Sequence, residues 1–203
     1  MIAILDYDAG NLRSVEKAFL YLGQDVTVTA DPKVILSADR VVLPGVGAFR
    51  DAMDKLKAAG LDAVVREVVQ KKTPFLGICL GMQLLYDYSE EGDCEGLGIL
   101  SGTVKRFPAD CGLKIPQIGW NHLTIQKQSL LLSGIERPPY VYFVHSYYVD
   151  AADKSTVAAT VEYGVSADVL VETDSVYLTQ FHPEKSGKTG LAMLQNFASG
   201  AAQ

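Results

Sequence analysis

Residues 77 to 81 read Gly77-Ile78-Cys79-Leu80-Gly81, a cysteine with a glycine two places to either side, at the end of the apolar run Pro74 to Ile78. A nucleophile carried on a sharp strand-to-helix corner needs this spacing. The backbone at such a corner is strained, and bulky side chains two residues before or after it would collide. The corner turns the sulfur out of the core, and a helix N-terminus beyond it favours the thiolate, the reactive form. The same five residues also fit a small core cysteine between Ile78 and Leu80, so the choice falls to the rest of the chain.

A thiol nucleophile requires a base to take its proton and a third group to hold the base. The candidates are His122, His145 and His182. His182 closes the run Val176 to Phe181 and is followed by Pro183 and Glu184. The proline keeps the turn out of helical geometry, which brings a carboxylate two residues on within reach of the imidazole. His145 lies in the aromatic run Tyr140 to Tyr148 and reads as a structural or site-lining residue. His122 follows Trp120-Asn121 with no acidic partner and reads as structural.

The run Val41 to Leu43 ends in Pro44-Gly45-Val46-Gly47. Backbone amides must come within about 3 Å of a developing oxyanion, and glycines allow both the approach and the dihedral angles. A plain tight loop and a phosphate cradle are the competing readings. The cradle would need Gly-Lys-Ser or Gly-Lys-Thr at this place; Gly187-Lys188-Thr189, near the C-terminus, lacks the preceding glycine of that pattern.

The elements that would position these groups alternate in the first half. Apolar runs Ile2 to Leu5, Val26 to Thr29, Arg40 to Leu43 and Pro74 to Ile78 are separated by helical stretches Ser14 to Leu22, Phe49 to Ala59 and Leu61 to Gln70. Helical crossovers force parallel strands. Ser14 is a plausible N-cap, Val15, Ala18, Phe19 and Leu22 form one face, and Gly23 is a stop. From Ile99 onward the texture is β-rich: Ile99 to Phe107, His122 to Ile125, Val141 to Val149, Val157 to Val161 and Val169 to Phe181. Turn signals fall at Glu162-Tyr163-Gly164 and Thr173-Asp174-Ser175. A last helix spans Leu191 to Phe197. The expected fold is α/β, a mostly parallel central sheet with helices on both faces and an antiparallel β-rich portion in the second half.

The chain has 203 residues, 48% hydrophobic, enough for one sizeable core, and a single domain over residues 1–203 is expected. A net charge of -6 without a dense basic run disfavours nucleic acid as a partner. Three cysteines, Cys79, Cys94 and Cys111, with no CxxC pair argue against a disulfide framework and a structural zinc site. No metal or cofactor is called for. With no basic leader and no apolar run near the ~20 residues that span a bilayer, a cytoplasmic protein is expected.

Taken in order and spacing, Pro44-Gly45-Val46-Gly47, Gly77 to Gln83 and Phe181-His182-Pro183-Glu184 make the chain, over essentially its whole length, resemble the class I (triad) glutamine amidotransferases. Within that family it is most similar to the glutaminase subunits of imidazole glycerol phosphate synthases, which serve histidine biosynthesis. That narrower likeness rests on Asp6 to Ser14, Lys114 to Asn121 and Phe143 to Tyr147. One departure is Asp8-Ala9, where the pattern has a glycine and another residue.

The resemblance implies that Cys79, His182 and Glu184 are the triad and that Gly47, Leu80, Gln83, Ser146 and Tyr147 line the glutamine pocket. It further implies that the Gly45-Val46 peptide can turn its N–H toward the oxyanion. Gln83 suits its place on physical grounds too: four residues after Cys79 on a helix, it lies on the same side and can both donate and accept. A heterodimeric (β/α)8-barrel cyclase partner is implied, receiving ammonia and adding it to a phosphorylated ribonucleotide, with Asn11, Gln117, Trp120, Tyr142 and Lys185 as candidates for the partner-facing side. The rival readings are the glutaminase of anthranilate or aminodeoxychorismate synthase, a cysteine peptidase or deglycase-like protein, and a catalytically silent regulatory subunit.

Overall fold

A computed structural model describes residues 1–200 of the chain. In order the elements are β1 (Ile2–Leu5), α1 (Leu12–Tyr21), β2 (Val26–Thr29), α2 (Pro32–Leu36), β3 (Arg40–Gly45), α3 (Phe49–Ala58), α4 (Leu61–Gln70), β4 (Phe75–Cys79), α5 (Leu80–Gln83) and β5 (Tyr86–Ser89). There follow β6 (Cys94–Glu95), β7 (Leu100–Arg106), β8 (Gln117–His122), β9 (Thr124–Ile125), β10 (Tyr140–His145), β11 (Tyr147–Ala151), β12 (Val157–Glu162), β13 (Ser166–Glu172), β14 (Val176–Thr179) and α6 (Gly187–Ser199).

The main sheet runs β2-β1-β3-β4-β14-β13-β11-β7-β5-β6. Its first five strands are all parallel; beyond β14 the pairings to β13, β11 and β7 are antiparallel. The alternation along each parallel strand divides two cores. Ala3, Leu5, Val41, Leu43 and Phe75 face α2, α3 and α4, while Ile2, Ile4, Val42, Leu76 and Ile78 face α1 and α6. Side chains two apart share one face of a strand, so strands covered on both sides must be apolar throughout. The expected α/β architecture is therefore the one observed.

Several boundaries differ from the sequence reading. Helix α1 begins at Leu12, with Asn11 in the cap position and no side-chain cap bond, so Ser14 lies inside the first turn. Gly23 does end it, at φ 73°. The run Val141 to Val149 is two strands. It breaks at Ser146, where the chain leaves a separate β8–β10 ribbon and joins β7 of the main sheet. Val169 to Phe181 likewise divides into β13 and β14, and the segment read as His122 to Ile125 spans the last residue of β8 and the separate strand β9, which pairs with β12. Alternation marks a strand but does not say which neighbour it pairs with. Asp8, the departure from the family pattern, has φ 60°, a conformation open to glycine and tolerated by aspartate.

Candidate active site

Strands β3, β4 and β14 lie side by side and end together. In register Gly45 pairs with Cys79, and Ile78 pairs with both Pro44 and Thr179. The carboxyl ends of parallel strands are where such sheets hold their sites, and here three chain segments leave the sheet within a few residues of one another.

Cys79 sits at φ 55° and ψ -111°, outside the regions open to an L-residue. The flanking glycines are steric necessities. A Cβ on Gly81 would lie 1.9 Å from Leu43 O, and one on Gly77 would lie 2.7 Å from Leu178 Cδ2 and 2.8 Å from Gly81 O. The helix beyond the corner is short: α5 has four residues. A helix does begin directly after Cys79, as expected, but with four residues its dipole is small. Gly45 is similarly confined, with Leu80 Cβ and Gly81 N each 2.9 Å from where its Cβ would be, and Gly47 has φ +102°. Tyr7 donates its hydroxyl to Pro44 O at 3.0 Å, pinning the strand end before the Val46-Gly47 loop; burial, with the nearby sulfur, pushes the Tyr7 pKa up.

His182 Nδ1 lies 2.8 Å from Glu184 Oε1, and both side chains are almost wholly buried. The turn is held from behind: His182 N donates to Tyr142 O at 3.0 Å, and Ser186 Oγ donates to His182 O at 2.6 Å. Burial opposes charge on the ring. The Cys79 sulfur and the Glu184 carboxylate outweigh it, and the His182 pKa is pushed up to about 9. Among the described residues, Nε2 makes no hydrogen bond of ordinary geometry, although the Cys79 sulfur is near enough to raise its pKa. An imidazole so held can pass a proton to or from a group at the sulfur.

These residues border a cleft of about 350 Å³, lined by Val46, Gly47, Cys79, Leu80, Gln83, Glu91, Pro116, Val144, His145, Ser146, Tyr147 and His182. Gly47, Leu80, Gln83, Ser146 and Tyr147, the residues expected to line a glutamine pocket, all lie along this cleft. Gly45 and Val46 border a smaller space on the other side of the histidine, with Asn11 and Glu184.

Two residues of this region, Glu91 and Gln180, were not singled out in the sequence, while His145, read there as structural or site-lining, does line the cleft. Glu91 enters from the loop after β5, accepts a hydrogen bond from Phe49 N at 3.0 Å, and has its pKa raised chiefly by burial. His145 Nδ1 is 2.7 Å from Tyr147 O and Nε2 is 2.9 Å from Gln117 Oε1. Burial depresses the His145 pKa to about 4, so the ring is neutral. Nδ1 must donate to a carbonyl, which leaves Nε2 as an acceptor and requires the turned-over Gln117 amide. Gln180 is fully buried and places Nε2 3.6 Å from Cys79 Sγ. A signal for it existed, since Gln180 and His182 are two apart at a strand end.

Of the residues expected on a partner-facing side, Gln117 is buried, its side chain engaged by His145. Trp120 is 46% exposed, Asn11 and Tyr142 are half-buried, and Lys185 is exposed. On one face of the ribbon the cross-strand pairs are Ile118 with Val144, Trp120 with Tyr142 and His122 with Tyr140. Trp120 and Tyr140 stack at 5.6 Å between centroids.

A strained cysteine at a strand-to-short-helix corner, beside a buried His–Glu pair on a doubly covered parallel sheet, is an arrangement that can carry thiol-dependent hydrolysis. The family model for class-I glutamine amidotransferases matches residues 3–201, and the chain belongs to that family. It is 51% identical to the imidazole glycerol phosphate synthase subunit HisH of Syntrophotalea carbinolica, over 97% of this chain and 98% of that one. It is 50% identical to the subunit of the same name from Caldanaerobacter subterraneus subsp. tengcongensis, over 97% of each chain. Among solved structures, a glutamine amidotransferase superposes with a TM-score of 0.75 at 19% identity, covering 97% of this chain and 98% of that one. A chain of the PurLQS structure from Thermotoga maritima superposes at 0.74 and 17% identity, covering 98% and 97%. These last two likenesses establish the fold.

Proposed function

We propose that the chain is the glutaminase subunit of an imidazole glycerol phosphate synthase, hydrolysing glutamine to glutamate and supplying the ammonia to a (β/α)8-barrel cyclase subunit in histidine biosynthesis. The observation that carries this reading is identity of about one half, over nearly full length, to subunits bearing that name. Residues 1–203 act as one domain in the cytoplasm; among the described residues no helix is long and apolar enough to cross a membrane.

Cys79, His182 and Glu184 carry the chemistry. The Cys79 thiolate attacks the side-chain amide carbon of glutamine, and the oxyanion is met by backbone N–H groups of the Gly45-Val46-Gly47 loop. His182, charged at neutral pH, gives its proton to the amide nitrogen. Ammonia leaves and a γ-glutamyl thioester remains. The neutral ring then takes a proton from water as the water attacks the thioester, glutamate departs, and the thiolate–imidazolium pair is restored. Glu184 orients the ring throughout. Glu91 is the carboxylate in the cleft lining and would meet the substrate ammonium, while Gln83, Ser146 and Tyr147 offer further polar contacts.

The ribbon face bearing Trp120, Tyr140 and Ile118 supplies a docking surface at the cleft lip, because Val144, paired with Ile118, itself lines the cleft. Exposed apolar strips of this kind mark interaction sites. The test is glutamine turnover by the chain alone and after addition of the cyclase subunit with its nucleotide substrate. A marked rise is expected; turnover indifferent to the cyclase would overturn the assignment.

A further inference from the structure

The side chain of Gln180 belongs to no part of the mechanism above, yet it is fully buried against the reacting sulfur. Its orientation follows from its neighbours. Gln83 Nε2 lies 3.2 Å from Tyr147 O and 2.8 Å from Gln180 Oε1. A backbone carbonyl only accepts, so Gln83 must present its NH2 group to Tyr147 O. The second proton of that NH2 then points at Gln180, which must answer with its oxygen. Gln180 therefore turns its own NH2 toward Cys79 Sγ, at 3.6 Å. The direction of every bond in this chain is fixed by one carbonyl, without assuming any amide orientation in advance.

Resting on the reading of Cys79 as the nucleophile, we propose that Gln180 is a further catalytic residue, donating a hydrogen bond that holds the Cys79 sulfur as a thiolate in attacking position, with Gln83 fixing its orientation. A hydrogen bond to a charged acceptor in a buried site is stronger than one to a neutral group, so the donor favours the thiolate over the thiol. A four-residue helix gives the sulfur little dipole support, and an amide donor makes up for it. Gln83 acquires two duties: both its amide protons serve the sulfur's neighbourhood, and its oxygen is left to accept from substrate.

The test is the pH profile of Cys79 alkylation by iodoacetamide, read peptide by peptide so that Cys94 and Cys111 serve as internal references. In Gln180→Met, which keeps length and loses the donor, alkylation of Cys79 at pH 7 is expected to slow about tenfold and its half-maximal pH to rise about one unit, the size of one charge-assisted hydrogen bond. Gln83→Met, at the open cleft, should slow it about threefold by freeing the Gln180 amide. A Gln180→Met protein that melts like the parent and keeps the parental profile overturns the proposal. Should that variant not fold, an unchanged profile in Gln83→Met overturns it. If Cys79 of the unaltered protein reacts no faster than Cys94 and Cys111, the nucleophile reading itself fails, an outcome distinct from the other two.

Discussion

The ends of β3, β4 and β14 and the β8–β10 ribbon lie on either side of the same cleft and are built on opposite terms. At the strand ends nearly every atom is confined: a Cβ on Gly81 would meet Leu43 O at 1.9 Å, and Glu184 and His182 face each other out of water. On the ribbon, Ile118, Trp120 and Tyr140 are 63%, 46% and 44% exposed, and Trp120 and Tyr140 stack on each other. Chemistry needs groups held to a fraction of an ångström, which packed strands and the turns they anchor provide. A docking surface needs apolar area that stays open until its partner covers it. The two are joined, because Tyr142 on the ribbon accepts the backbone N–H of His182.

The contrast can be broken first at the sulfur. Cys79→Ala should lower glutamine hydrolysis by about 10⁴-fold or more, as loss of a nucleophile does, while the thermal melt stays within a few degrees of the parent. Next is the buried carboxylate. Glu184→Gln removes one of the two groups that raise the His182 pKa to about 9, and turnover should fall roughly 10²- to 10⁴-fold, by analogy with loss of the orienting acid elsewhere. Turnover needs the imidazolium, so the parent loses activity as pH rises through about 9; in the variant that limb should move to lower pH. A pH–rate profile with an unmoved upper limb would detach Glu184 from the ring.

The same two histidines predict opposite slopes of stability against pH. His182 is raised from 6.5 to about 9, so its contribution is present below 6.5 and is lost as pH climbs through 9. His145 is lowered from 6.5 to about 4. Between those values the unfolded chain binds the extra proton, so stability rises with pH from about 4 to 6.5. Melting temperatures across pH 4 to 9 should therefore pass through a maximum near pH 6.5, and His145→Asn should flatten the acid side.

Packing separates the regions more sharply. Gly81→Ala should cost about 3 kcal/mol of stability, the upper range for forcing atoms into filled space, measured by denaturant unfolding. Trp120→Ala should change stability by no more than about 0.5 kcal/mol, as exposed positions do, yet weaken association with the cyclase by about 2 kcal/mol. Equal stability losses in the two variants would erase the distinction between confined and open regions.

What the sequence disclosed divides along the same line. The elbow was legible because strain leaves a residue signature: only glycine fits beside Leu43 O and Leu178, and proline marks the His182 turn. The parallel half was legible because helices between apolar runs allow few alternatives. The break at Ser146 was hidden, since β10 and β11 alternate alike and differ only in whom they pair with. Glu91 was hidden because its place depends on a group distant in sequence, the Phe49 amide, and the proximity of Gln180 to His182 could not reveal an orientation set by the Tyr147 carbonyl. Gln117, expected at a partner face, points the other way because strand register decides which side it takes.

The most direct test of the account is to quench the protein in acid during glutamine turnover and map the covalent adduct by mass spectrometry. A γ-glutamyl thioester on the peptide containing Cys79, lost in Cys79→Ala together with turnover, is the expected result. Turnover that persists without Cys79, or an adduct carried by Cys94 or Cys111, would contradict it.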